Sequence, residues 1–250
     1  MLNIDINCDM GEGIGNEEAI MPFISSANIA CGFHAGDENT MKQMITLCVE
    51  HNVAIGAHPS FYDRKNFGRV EMKLSANEIY DLVILQLRTL EKFAIEKGRT
   101  LYHVKPHGAL YNLSAKDQET AAAIAGAVKD FDEHLILFGL SNSFSIMQAK
   151  AIGLKVASEV FADRTYQEDG SLTPRSQPNA MIDDPSKSVA QVVLMINEKM
   201  VTTVNGKKIP IEADTICIHG DGKHAVEFAK AIYDSLKKND VVIQHLIKAG

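Results

Sequence analysis

The chain has 250 residues, 46% hydrophobic and 23% charged, a balance that excludes intrinsic disorder and a length that buries a core without disulfides. Its formal net charge is −7 and no Lys/Arg run offsets it locally, which argues against a nucleic-acid or anionic-membrane surface. The four cysteines (Cys8, Cys31, Cys48, Cys217) form no C-x-x-C pair, MLNIDINCDMGEG is no signal peptide, and no apolar run nears the ~18 residues of a membrane span, so a cytoplasmic protein with small-molecule or protein partners is expected.

Short apolar runs alternate with helical patterns. Strands are expected at Leu2–Asn7 and Ala27–Cys31, then a helix opened by Asp37 with Met41, Met44, Ile45 and Cys48 on one face. A third strand, Val53–Ala57, precedes the capping box Ser75-Ala-Asn-Glu78 and a helix carrying Ile79, Leu82, Val83, Gln86, Leu87, Leu90 and Phe93. Strand four is Leu101–Lys105, followed by a weaker helical pattern over Ala115–Asp130. Strand five, Leu135–Gly139, and a second weak pattern, Ser143–Ala151, lead to strand six at Leu154–Ser158. Asp184-Pro185 caps a helix with Val189, Val192, Val193 and Ile196, and Asn205-Gly206 marks a small hairpin over 201–211. Strand seven, Thr215–His219, and a helix after Gly222 close the chain.

Repeated βα units imply a parallel sheet, open or closed. An open sheet gathers its ligands at one switch point, whereas a barrel draws site residues from nearly every strand end. Distinctive polar residues follow every strand except the fifth, which favours one α/β domain over residues 1–250, a seven-stranded (β/α) barrel.

After strand one, Asp5-Ile-Asn7-Cys8-Asp9-Met-Gly11-Glu12-Gly13 crowds three carboxylates and an Asn, suited to a general base or a metal ligand. His34 follows strand two and His58 strand three. With Asp9 they can make a two-histidine, one-carboxylate site for a divalent metal, or serve as acids and hydrogen-bond donors. The aromatic segment after His58 reads as a lid with Arg64 or Arg69 at its tip, or as an ordinary surface loop. Strand four ends in Lys105-Pro106-His107. Lys105 either stabilises an anion or pairs structurally with Asp5 or Glu159, and His107 shares its side if the extended backbone persists through Pro106. A long loop after strand six offers Glu159, Arg164 and Arg175, as site residues or as a structural Glu–Arg pair. His219-Gly220-Asp221-Gly222 opens the last helix as an anion-binding turn or a simple cap, and is no Walker A motif.

DINCDMGEG, ANIACGFHAGD, IGAHPSFYDRKNFGR, VKPHGALYN, the segment 158–180 and CIHGDGKH together resemble the LamB/YcsF family along the whole chain. The resemblance implies a barrel of the glycoside hydrolase/deacetylase type. It also implies ATP-dependent opening of 5-oxo-L-proline to L-glutamate in a multi-subunit 5-oxoprolinase, with subunits B and C as partners and ATP as co-substrate. On that chemistry Asp9 is the base, Lys105 the electrostatic stabiliser and His107 or His58 the acid. Asn7, Glu12, His34, Glu159, Arg164 and the turn His219, Gly220, Asp221 and Gly222 would hold substrate or phosphate. The competing readings are a stand-alone divalent-metal hydrolase using Asp9, His34 and His58, and a non-catalytic binding subunit.

Overall fold

Strand β1 (Asn3–Met10) alternates by residue type, and the alternation decides the architecture. Ile4, Ile6, Cys8 and Met10 are buried in the main hydrophobic core, while Asp5, Asn7 and Asp9 bond to side chains of other strands. Asn7 bonds Glu159, two strands away, across the barrel interior. The structure is a computed structural model that describes residues 2–218 and 225–247.

Around β1 run β2 (Ser26–Ala30), β3 (Ala54–His58), β4 (His103–Val104), β5 (Ile136–Leu140) and β6 (Lys155–Phe161), all parallel. Two further strands, β7 (Met200–Thr202) and β8 (Lys208–Pro210), form the expected antiparallel hairpin. Strand β9 (Thr215–Ile218) pairs with both β6 and β1, so seven strands close. A short β10 (Val242–Ile243), which has no counterpart in the sequence pattern, pairs with Asn3 and Ile4 at the start of β1 without joining the closure.

Helices fill the crossovers: α1 (Glu17–Ile20), α2 (Glu38–His51), α3 (Ala76–Glu96), α4 (Gly108–Lys116), α5 (Gln118–Phe131), α6 (Phe144–Ala151), α7 (Pro185–Glu198) and α8 (Ala225–Lys238). Asp37 caps α2 by accepting from Thr40 N, the Ser75–Glu78 capping box opens α3, and Asp184 with Pro185 opens α7, all as expected. The pattern that reads as one helix over Ala115–Asp130 is two. Asp117 adopts φ −120°, ψ 118°, ends α4, and accepts from Thr120 N to begin α5. No helix among the described residues is long and apolar enough to cross a membrane.

Two strand ends extend further than the regular pairing. Lys105 N donates to Ala57 O and His107 N to Pro59 O, so the backbone stays extended through Pro106 and delivers Lys105 and His107 to one side. Strand β6 runs three residues beyond the expected Ser158, carrying Glu159 into the barrel interior and Phe161 to its mouth.

Candidate functional site

The interior is polar along most of its wall. At its base the Asp5 carboxylate accepts from the Ser25, Ser26 and Thr215 hydroxyls, and burial raises its pKa despite those donors. One layer up, Asn7 donates to Glu159 Oε1 and Thr215 Oγ1, and Asn28 donates to Asn7 Oδ1 and Asp9 Oδ1. His103 reaches Asn28 Oδ1 at 2.7 Å from β4, past Gly56 on β3. A Cβ on Gly56 would lie 2.0 Å from the His103 ring, so only glycine lets this bridge pass. The β5 wall is apolar: Ile136 and Phe138 pack with Ala157, and Phe138 stacks on His103 at 4.2 Å.

Lys105 ties this network to the mouth. Its Nζ lies 2.9 Å from Asp9 Oδ1, 2.9 Å from Glu159 Oε1, 3.2 Å from Asn7 Oδ1 and 3.1 Å from Cys217 Sγ. Burial opposes the ammonium, but the Asp9 and Glu159 carboxylates outweigh it and hold its pKa well above the lysine range. The structural reading of Lys105 is the one seen in its contacts. It makes a structural pair with buried Glu159, not with Asp5, and it touches Asp9 at the floor of a cavity of about 760 Å³. Glu159 is fully buried beneath Lys105 and meets that pair rather than Arg164.

Three imidazoles cluster at the mouth, and His58 is the one in contact with Asp9. His58 Nε2 is 3.2 Å from Asp9 Oδ2 and 2.9 Å from His107 Nδ1, and His107 Nδ1 is 3.2 Å from Glu12 Oε1. His34 lies 3.0 Å from the same Glu12 oxygen and stacks on His107, rings 3.8 Å apart and nearly parallel. Burial holds His34 down at about 4, so that ring is neutral near pH 7, and lowers His107 as well. The convergent set is thus Glu12, His34, His58 and His107, whose ligand atoms lie within 4.8 Å of one another. Asp9, expected in a metal trio with His34 and His58, instead gives Oδ1 to Lys105 and Asn28 and reaches only His58 of the two through Oδ2.

The segment expected to form a lid is a fixed wall. Phe67 O accepts from His107 Nε2, and Gly68 O accepts from Ala109 N. Gly108, at φ 56°, sits so close that a Cβ would lie 2.5 Å from Gly68 O. Arg64 turns away and donates to the Gly32 and Gly36 carbonyls, whereas Arg69 lies over the Phe67 ring and lines the cavity.

The long segment 162–184 forms the far rim. Arg164, expected to bind phosphate or a carboxylate, lines the cavity but also donates to Thr173 O at 2.6 Å and Ala180 O at 3.3 Å, which folds the segment back on itself. Fully buried Tyr166 accepts from Phe161 N, and Val204 N of the β7–β8 hairpin donates to Tyr166 O. Arg175 and Arg69 add further cations to the cavity wall. The turn His219, Gly220, Asp221 and Gly222 lies outside the described residues. All four cysteines are buried free thiols, and burial raises each above its usual range, Cys31 and Cys48 to about 12.

Sequence pattern alone does not single out His103, Asn28 and Gly56. Their signal is the two-residue alternation His103, Lys105, His107 on one strand, with a glycine at the facing position of the next.

Fold and site define a β/α barrel whose mouth joins a buried lysine–carboxylate pair to a histidine cluster, an arrangement suited to acid–base work on a polar small molecule. The model of the LamB/YcsF family matches residues 4–249, and the chain belongs to that family. It is 52% identical over 246 residues to the 5-oxoprolinase A subunit of Oceanobacillus iheyensis, covering 96% of each chain. It is also 52% identical to the protein of the same name from Tolumonas auensis, covering 98% of this chain and 99% of that one. Among solved structures, the lactam utilization protein of Thermus thermophilus superimposes with a TM-score of 0.92 at 40% identity, over 98% of this chain and all of that one. A family 4 carbohydrate esterase from Streptomyces lividans shares the fold alone, with a TM-score of 0.56 at 10% identity over 99% of this chain and 96% of that one.

Proposed function

We propose that this chain is the A subunit of a 5-oxoprolinase, opening 5-oxo-L-proline to L-glutamate at the expense of ATP together with subunits B and C. Membership of the LamB/YcsF family and the identity of its relatives support the reading. The observation that carries it is the Asp9–Lys105 pair, 2.9 Å apart at the floor of the large cavity with His58 and His107 alongside.

A five-membered lactam is a poor electrophile. Phosphorylation by ATP converts its amide oxygen into a leaving group. Water then adds to the ring carbon, the C–N bond of the tetrahedral species breaks as the nitrogen takes a proton, and the acyl phosphate that remains is hydrolysed by a second water to L-glutamate and inorganic phosphate. Asp9 Oδ2, on the side away from Lys105, takes the proton of that water. The Lys105 ammonium, already desolvated and fixed by Asn7 and Glu159, faces the negative charge that develops on oxygen, so no reorganisation is needed at the moment of reaction. The proton taken by Asp9 passes over 3.2 Å to His58 Nε2, and His58, with His107 beside it, returns that proton to the departing ring nitrogen. Arg69 and Arg175 on the cavity wall supply counter-charge for phosphate or for the substrate carboxylate.

Release of glutamate from 5-oxoproline and ATP, by the chain alone and mixed with subunits B and C, tests the proposal. Glutamate is expected only in the mixture. Its absence from both discards the lactam reading.

A further inference from the structure

The hydrogen-bond directions at the histidine cluster turn lone pairs and carboxylate oxygens toward one point. His58 Nδ1 lies 2.7 Å from Lys105 O, and a carbonyl only accepts, so the His58 N–H is on Nδ1. His107 Nε2 lies 2.9 Å from Phe67 O, which likewise fixes its N–H on Nε2. The remaining nitrogens, His58 Nε2 and His107 Nδ1, therefore aim lone pairs at each other across 2.9 Å. Both also face carboxylate oxygens, Asp9 Oδ2 at 3.2 Å and Glu12 Oε1 at 3.2 Å. A third imidazole, His34, turns Nε2 to the same Glu12 oxygen while Nδ1 meets Ser60 Oγ at 2.9 Å. The fixed positive charge beside the cluster, Lys105, is engaged with Asp9 and Glu159.

We propose that Glu12, His34, His58 and His107 form a binding site for one divalent transition ion of the Zn²⁺ kind. Three imidazoles and one carboxylate are a borderline donor set that suits Zn²⁺ or Co²⁺ and disfavours Mg²⁺ and Ca²⁺, which prefer oxygen. Four of the six donor–donor separations, 2.9, 3.0, 3.2 and 3.8 Å, bracket the edge of about 3.3 Å for a tetrahedron with ligands ~2.0–2.1 Å from its centre, and all six are within 4.8 Å. Each ring's outer nitrogen is held by Lys105 O, Phe67 O or Ser60 Oγ, the supporting shell that orients metal-binding histidines. Glu12, His58 and His107 line the large cavity, so an ion there would be open to a small ligand.

The site is independent of the lactam reading. The two meet at one point: an ion and a proton compete for the His58 and His107 lone pairs, so an occupied site moves the role of acid away from both rings.

The test is the metal content of the full chain, followed by chelator stripping and titration with Co²⁺, whose visible absorption is intense only in low-coordinate sites. About one Zn²⁺ or Co²⁺ per chain is expected, with affinity at least ~10-fold weaker in Glu12→Gln and the visible band lost in His107→Ala. Glu12→Gln keeps the side-chain volume, and its circular dichroism distinguishes a lost ligand from a lost fold. Failure of the wild-type chain to retain or titrate with either ion overturns the site, as does wild-type affinity in both folded variants. Retained metal without glutamate formation sinks only the lactam reading. Glutamate formed by a chain that takes up neither ion sinks only the metal site.

Discussion

Asp5 and Asp9 sit four residues apart on one strand and point into the same barrel, yet their surroundings have little in common. Asp5 is fully buried, accepts from the neutral hydroxyls of Ser25, Ser26 and Thr215, and has its pKa raised by burial. Asp9 reaches the cavity, is paired with the Lys105 ammonium and faces the His58 lone pair. The first arrangement ties three strands together, whereas the second leaves an ionised oxygen at the mouth, within reach of a proton in transit. What surrounds an inward carboxylate decides whether it braces the barrel or does chemistry.

Removing the cation that distinguishes the two ends should have the largest effect. Lys105→Met leaves Asp9 and Glu159 without their counter-charge, at a cost of about 3–5 kcal/mol of stability, and slows turnover per folded chain by about 10²–10³-fold. Denaturant titration and glutamate release measured on the folded fraction separate the two. Turnover at the wild-type rate would make Lys105 a brace like the Asp5 knot.

A smaller effect is expected from the layer between the two aspartates. Gly56→Ala drives a methyl into the His103 ring and should cost about 1–3 kcal/mol or more. A thermal midpoint equal to wild type would show that the His103–Asn28 bridge does not depend on this close approach.

The same layer also answers to pH, by a small step for each unit. Burial holds His103 down at about 3 from an ordinary value of 6.5, so the unfolded chain takes up a proton that the barrel refuses. That contribution to stability is complete above about pH 6.5 and is lost as pH falls toward 3, at about 1.4 kcal/mol per pH unit. His103→Gln should flatten the stability–pH curve by that slope, and an unchanged slope would remove His103 from the account.

The mouth was legible in the sequence because acids, lysine and histidines at strand ends have no apolar explanation. Asp9, Glu12, His34, His58, Lys105 and His107 all meet there. The capped helices and the Asn205-Gly206 hairpin were legible for an equally local reason. The interior bridge was not, since a histidine or asparagine within a strand reads as a core residue until its partner on another strand is known. Local pattern also hid the break at Asp117, where a single capping side chain overrides a continuous helical period, and β10, whose two residues carry no period at all. Arg164 stands out by its charge, but much of its hydrogen bonding is to loop carbonyls, which no side-chain pattern encodes.

The most direct test pairs the two aspartates in one assay: glutamate release by the assembled complex carrying Asp9→Asn or Asp5→Asn in this chain, with assembly checked by size-exclusion chromatography. The account predicts that Asp9→Asn assembles and loses turnover by about 10²–10⁴-fold, while Asp5→Asn melts earlier but turns over normally per assembled complex. Normal turnover in Asp9→Asn would contradict it.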